Sequence, residues 1–303
     1  MRFVTTLGSD GTQRAGLAVD DQIVDLAEGA AANGGTLPTT VSEIVSMGDE
    51  AIAVAKSVED AAREGKVDGV SAGSVTLTAA TTAPLSIFLL AGNYQSHIME
   101  SGAEAVNKSK INPRPFMKPT TAIIGTGDPI RIPPDSDTLD YEIEIAAVIG
   151  KPGRHIPEAE ALDHVLGYTV FNDVSARSLK IAEGRDERAG DGFFDWLLGK
   201  WCDSFAAIGP YLVTKDEAGD PNELEMSLKV NGELRQHSSA GEMIFTIPES
   251  IAFLSRFVTL RAGDLLCMGT PGGVGATTET YLKSGDLVEA EIENLGTLVN
   301  PVQ

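Results

Sequence analysis

Little in the sequence would lock this chain covalently or draw it toward a polyanion. Cysteine is nearly absent: Cys202 and Cys267 are the only two in 303 residues. Two thiols make no disulfide framework. Their spacing suggests neither zinc nor nucleophilic chemistry, so both are expected to be packing residues. Basic residues are scarce as well, with 23 Lys and Arg against 44 Asp and Glu, a formal net charge of −21. Such a surface repels phosphate backbones and anionic membranes, which argues against nucleic acid as a partner. It also gives extra weight to any lysine or arginine beside a catalytic motif. No window approaches the ~20 apolar residues of a membrane span. The opening residues, MRFVTTLGSDGTQR, carry no signal-peptide pattern. The expectation is a cytoplasmic protein without a membrane partner.

What remains is ordinary globular composition, 42% hydrophobic and 22% charged, with 32 glycines and 15 prolines marking many turns. Residues 1–75 read as a small N-terminal α/β domain. Strand patterns at 1–7 and 15–26 flank a turn at 8–11, and apolar residues at helical spacing run through 41–63. Residues 76–303 read as a second domain dominated by short strands: 143–149, 166–171, 227–230, 265–268 and 287–292. Asn231-Gly232 predicts a type I′ hairpin turn. Helical patterns are few, at 95–102, 158–165 and 248–257. Regular β-α alternation is missing, which excludes a doubly wound sheet and leaves an α+β, β-dominated fold.

One segment combines charge with burial. Leu139-Asp140-Tyr141-Glu142-Ile143-Glu144-Ile145 alternates apolar and acidic residues, so a strand here turns Leu139, Tyr141, Ile143 and Ile145 to the core. Asp140, Glu142 and Glu144 then share the other face, roughly 6–7 Å apart at i, i+2. A solvated strand face is the common meaning of a lone Glu-x-Glu. Here, however, the strand continues into Ala146-Ala147-Val148-Ile149, apolar on both sides, and carboxylates leading into a buried strand need a cation or hydrogen-bond partners. Hard oxygen ligands suit Mg²⁺, Mn²⁺ or Ca²⁺. A further carboxylate, Asp173, ends the buried-looking run 166–173. His97 and Glu100, three apart, share one helix face and could act as an oriented base or as a plain surface pair.

These segments, in this order, resemble the fumarylacetoacetate hydrolase family: Gly92-Asn93-Tyr94 with His97 and Glu100, Phe116-Met117-Lys118-Pro119, the acidic strand, Gly167–Arg177, Gly199-Lys200, and Gly269–Gly275. The resemblance implies a rolled, mixed β-sheet, a homodimer, and Mg²⁺ or Mn²⁺ (sometimes Ca²⁺) on Glu142, Glu144 and Asp173. It implies hydrolysis of a C–C bond in a small anionic 2,4-diketo acid. Under it His97, held by Glu100 on a lid helix, activates water, and Lys200 faces the developing oxyanion. Lys118, Arg177, Lys180, Gly269 and Thr270 become candidates for holding the substrate. The alternatives on the same site are an oxaloacetate decarboxylase, a keto-acid isomerase or hydratase, and a non-catalytic binding protein. The chain departs from the family pattern after Ser-Ala-Arg, where Ser178 and Lys180 replace the usual Asp and Gln. The stretch 181–198, with Phe193, Phe194 and Trp196, is also long. Both departures fall where substrate identity is set.

Overall fold

The computed structural model describes residues 1–81, 84, 86–181, 185–186 and 188–303. Its organising element is a twelve-stranded mixed sheet. At the centre lies Ile143–Ile149, between Val165–Asp173 and Leu265–Cys267, both antiparallel to it. On one side the sheet continues through Ile87–Leu90 to the edge strand Pro115–Lys118. On the other it continues through Ala206–Thr214 to Arg2–Leu7, Gln13–Val19 and Gln22–Asp25. Leu265–Cys267 runs parallel to Ile87–Leu90, and Ile123–Ile124 runs parallel to Ala206–Thr214, which makes the sheet mixed, as expected. A second sheet of four antiparallel strands holds Glu233–Ser239, Glu225–Val230, Leu287–Ile292 and Gly296–Pro301 in that order.

The continuous apolar run of the central strand has a direct cause. Ile143, Ile145, Ala147 and Ile149 pack into one hydrophobic cluster, while Ala146 and Val148 pack into another on the opposite face. Each fully buried aliphatic side chain of this size contributes about 1.5–3 kcal/mol, and a strand covered on both sides has no place for an unpaired charge. The second cluster includes Leu17, Leu26 and Ile44 together with Ile208. Residues 1–75 therefore share both a sheet and a core with the rest of the chain: Arg2 pairs with Val213 and Phe3 with Leu212.

Several local expectations need correction. The acidic segment 139–145 is not one strand. Leu139–Asp140 pairs with Ser175–Ala176 in a short ladder of its own, and the large sheet takes over only at Ile143. Between them the Glu142 N–H donates to Asn172 Oδ1 and the Glu142 carbonyl accepts from Asp173 N–H. The helical run 41–63 is two helices, Val41–Met47 and Asp49–Arg63, broken at Gly48 with φ +75°. The pattern at 158–165 is a 3₁₀ helix ending at His164, after which the chain is already strand. The hairpin does form as expected, with Asn231 and Gly232 at φ +53° and +78°.

Gly167 lies where Val165–Asp173 meets Ala206–Thr214, and a Cβ built on it would come within 2.0 Å of the Val213 carbonyl oxygen. Backbone cannot yield as a side-chain tip can. Gly167→Ala should therefore cost about 3 kcal/mol, the upper end for overpacking. Gly192→Ala, in the helix Asp191–Leu198 with nothing within 4 Å of the new methyl group, should be neutral or slightly stabilising. Urea unfolding of both variants checks this; equal midpoints would show that the strand junction is not close-packed.

Candidate metal centre and acid–base site

The two strands that carry the acidic residues place them by register alone. Ile143 lies opposite Asn172, so Glu142 and Glu144, either side of Ile143, come up against the end of Val165–Asp173. Glu142, Glu144 and Asp173 are all buried, and one ligand oxygen from each lies within 4.8 Å of the others. Asp140, expected on the same face, goes elsewhere: its carboxylate accepts from Gly275 N–H at 2.7 Å, Ala276 N–H at 3.0 Å and Arg177 Nε at 2.7 Å.

Three cations surround the triad. Lys200 Nζ lies 2.9 Å from Glu142 Oε2 and 2.6 Å from Asp173 Oδ2. Arg177 Nη2 lies 2.6 Å from Glu142 Oε1. Lys118 Nζ donates to the Val174 and Phe205 carbonyls and stands 2.6 Å from Asp173 Oδ1. The resulting fields divide the two glutamates. Burial works to raise Glu142, but Lys200, Arg177 and His97 outweigh it and hold the carboxyl well below the ordinary range. Glu144 receives burial first and then the charges of Asp173 and Glu142, and is pushed well above that range. Burial lowers Lys118. Lys200 is raised: burial opposes its charge, but Asp173 and Glu142 prevail.

The residues present fit a hard divalent cation. All three candidate ligands are carboxylates, the chemistry Mg²⁺ and Mn²⁺ prefer. Asp173 Oδ1 has one close partner, Lys118 Nζ at 2.6 Å, in poor hydrogen-bonding geometry. The surroundings of Glu144 disfavour its charged form, and a cation would favour it.

The short helix Gln95–Glu100 brings the candidate acid–base pair, His97 and Glu100, to the same cavity. His97 Nδ1 and Glu100 Oε1 are 2.7 Å apart. Glu100 Oε2 accepts from Gly273 N–H at 2.6 Å and from the Thr277 hydroxyl at 3.3 Å, so the carboxylate is fixed, and among the described residues the other ring nitrogen, Nε2, has no hydrogen-bond partner. The helix is anchored by Asn93, a residue with no role apparent from sequence. Its amide donates to the Phe245 and Met268 carbonyls and its oxygen accepts from Phe245 N–H. His97, Glu142, Asp173, Arg177, Lys200 and Thr270 line a cavity of about 190 Å³, with Phe116 and Trp196 also in its wall. Those two rings meet edge to face, 4.9 Å apart.

The remaining candidates are placed less simply. Lys180 does not reach the cavity. Its side chain is 68% exposed and pairs with Asp137, one of the surface acids that attract an unburied lysine. Lys118 and Arg177 stand at the site but are committed to carboxylates and carbonyls. The amides of the glycine loop turn to carboxylates too, where sequence suggested the substrate: Gly269 N–H donates to Glu144 Oε2 at 2.8 Å. Within 181–198, residues 182–184 and 187 lie outside the described set. Trp196 reaches the cavity, and Phe193 and Phe194 are exposed.

Residues 86–303 match the family model described as fumarylacetoacetate (FAA) hydrolase C-terminal. The chain belongs to the fumarylacetoacetate hydrolase family. Within that family it is 39% identical to the oxaloacetate tautomerase fahd2, mitochondrial, of Xenopus laevis, over 100% of this chain and 90% of that protein. Among solved structures it resembles the fumarylacetoacetate hydrolase of Exiguobacterium antarcticum, at 30% identity and a TM-score of 0.78, covering 100% of this chain and 99% of that one. It also resembles the maleylpyruvate hydrolase of Sphingobium sp. SYK-6 in complex with manganese(II) and pyruvate, at 26% identity and 0.76, covering 100% and 98%. The FAH-type fold is shared throughout. Among the described residues no helix is long and apolar enough to cross a membrane.

The raised Glu144 sets a pH dependence. Its proton lends the ion-free fold stability that is full below the ordinary carboxylate value of 4.5 and is lost as pH rises through the raised value. Glu142, depressed, acts in the opposite window: its stability is present above 4.5 and is lost only as pH falls toward its own low value. The melting temperature of ion-free protein should therefore fall as pH rises above this range. Mn²⁺ should raise it more at about pH 8 than at about pH 5.5, with proton release on binding. Glu144→Gln should flatten that dependence. Thermal melts and calorimetry in two buffers test this, and a pH-independent Mn²⁺ effect would take Glu144 out of the ligand set.

Proposed function

We propose that this chain is a Mg²⁺- or Mn²⁺-dependent enzyme of enolate chemistry on a small 2-oxo acid, and that its reaction is tautomerisation of oxaloacetate or a close analogue. The observation that carries this is the His97–Glu100 pair facing the buried triad across a cavity sized for a small anion. A divalent ion on Glu142, Glu144 and Asp173 would supply charge stabilisation at the substrate's carboxylate and C2 oxygen. His97 Nε2 takes a proton from C3, and Glu100 stabilises the imidazolium that results. Returning that proton to the C2 oxygen completes the keto-to-enol exchange; the reverse path runs through the same atoms. Lys200 and Arg177 hold Glu142 ionised and in place. The Thr270 hydroxyl, at the cavity wall, is free to donate to the substrate. The likeness to a tautomerase over the full chain supports this reading.

A second reading keeps the site and changes the proton donor. His97 takes a proton from water, the hydroxide attacks C4 of a 2,4-diketo acid, and the C3–C4 bond breaks to leave a pyruvate-like enolate. The likeness to a maleylpyruvate hydrolase solved with manganese and pyruvate favours it. We also propose a homodimer, on family resemblance.

The two reactions separate cleanly. With Mg²⁺ or Mn²⁺ the protein should accelerate loss of the oxaloacetate enol absorbance and exchange of the C3 protons in D₂O. Acetylpyruvate should be cleaved slowly or not at all. Cleavage of acetylpyruvate without action on oxaloacetate would establish the hydrolytic reading, and action on neither would overturn both. His97→Ala and Glu100→Ala should each lower kcat by about 10²–10⁴-fold while Mn²⁺ affinity stays near wild type; wild-type turnover in either variant would exclude the pair from the mechanism.

A further inference from the structure

Gln236, on the strand Glu233–Ser239 of the smaller sheet, is 1% exposed and belongs to no motif in the sequence. Its amide reaches three groups of the candidate site. The Oε1 atom accepts from the Ile143 N–H, at the residue between the two glutamate ligands, at 3.1 Å. The Nε2 atom donates to Thr270 Oγ1 and to the Pro271 carbonyl, each at 2.9 Å. The orientation of a glutamine amide is usually ambiguous. Here it is forced, because an N–H can be met only by oxygen and the Pro271 carbonyl only by NH₂.

The consequence falls on Thr270. Its hydroxyl oxygen is occupied by an N–H donor, so its hydrogen must go elsewhere. Among the described residues Thr270 Oγ1 donates no hydrogen bond, and Thr270 lines the cavity. The hydroxyl is thereby set as a donor into the space where an anionic substrate sits. The neighbouring backbone has little freedom to undo this. Gly273, three residues on, has φ +103°, and a Cβ there would come within 2.3 Å of the Arg235 carbonyl oxygen, so the loop lies directly on Gln236's own strand.

We infer that Gln236 is a positioning residue that holds the Thr270 hydroxyl as a hydrogen-bond donor to the bound 2-oxo acid, an inference that rests on the site reading above. Gln236→Glu is the discriminating change. It keeps the shape and the acceptor for Ile143 N–H, but it replaces the donor facing Thr270 with an acceptor, so the hydroxyl turns back to donate to the new carboxylate and is lost to the substrate.

The test uses oxalate, a planar analogue of an enolate, titrated into Mn²⁺-loaded protein by calorimetry. Gln236→Glu and Thr270→Val should each weaken oxalate about ten- to a hundredfold, the range for one hydrogen bond to a charged group. Thr270→Val should leave Mn²⁺ affinity unchanged, and Thr270→Ser should bind oxalate within about threefold of wild type, the hydrogen bond of tens-fold worth being kept. The double variant should be no weaker than either single one, because the two changes remove the same bond. In turnover the loss should appear mainly in KM. If Gln236→Glu fails to fold by thermal melt, Gln236→Met removes the donor without adding charge; the Thr270 hydroxyl is then unheld but not diverted, and oxalate should weaken in the same direction by a smaller factor, about three- to tenfold. Wild-type oxalate affinity in the folded Gln236 variant, or losses that add in the double variant, would overturn the inference while leaving the site reading intact. Wild-type protein that binds Mn²⁺ but not oxalate would overturn the site reading, and the inference with it.

Discussion

Three carboxylates held within 4.8 Å of one another, away from water, repel. Desolvating one carboxylate costs several kcal/mol, and each like charge nearby adds to that. No fold adopts such a cluster unless something stronger fixes the backbone first. In this chain that is the antiparallel pairing of Ile143–Ile149 with Val165–Asp173, buried by apolar clusters on both faces. The ladder settles where Glu142, Glu144 and Asp173 must be, and everything else around the site answers the charge that results.

The answers come in two forms. Lys200 and Arg177 are direct ion pairs, and they keep Glu142 ionised. Lys118 is held by two carbonyls and lends charge to Asp173 at short range. The three formal positive charges match the three negative ones, yet the match is uneven, because Glu144 receives a single backbone N–H from Gly269 and no cation of its own. That imbalance is what a divalent ion would relieve. The glycine loop serves the same end: Gly269, Gly273 and Gly275 give their amides to Glu144, Glu100 and Asp140. One loop thus ties together the strand of Glu144, the helix of His97 and Glu100, and the Asp140 carboxylate that holds Arg177.

The parts of this site legible in the sequence are those governed by local pattern. Alternation followed by a two-sided apolar run marks a buried carboxylate strand, and i, i+3 spacing places His97 beside Glu100. Where a side chain's role depends on a distant partner, the sequence falls short. Lys118 and Arg177 read as substrate cations because their charge is visible while their partners, Val174, Phe205, Asp140 and Glu142, are not. Lys180 reads the same way and instead meets Asp137 on the surface. Gln236 lies in no motif, and Asn93 lies in one without a role of its own, since an uncharged amide acquires meaning only from the loop that packs against it. The break at Tyr141–Glu142 escaped notice for a related reason: the N–H of Glu142 finds the Asn172 side chain in place of a strand neighbour. Strand existence follows from residue pattern, but the joining of residues 1–75 to the large sheet through Arg2–Leu7 is a long-range pairing that no local window contains.

The central claim is that the buried triad is a divalent-cation site, and an anomalous difference map from a crystal grown with Mn²⁺ tests it most directly. The account predicts one strong peak within roughly 2.0–2.6 Å of a carboxylate oxygen from each of Glu142, Glu144 and Asp173, the span of hard-cation oxygen ligands, with Lys200 drawn back from Glu142 or Asp173 to admit it. A map with no peak there, while Mn²⁺ decorates exposed acids of the −21 surface, would contradict it and make the three carboxylates a charge cluster neutralised by Lys200, Arg177 and Lys118 alone.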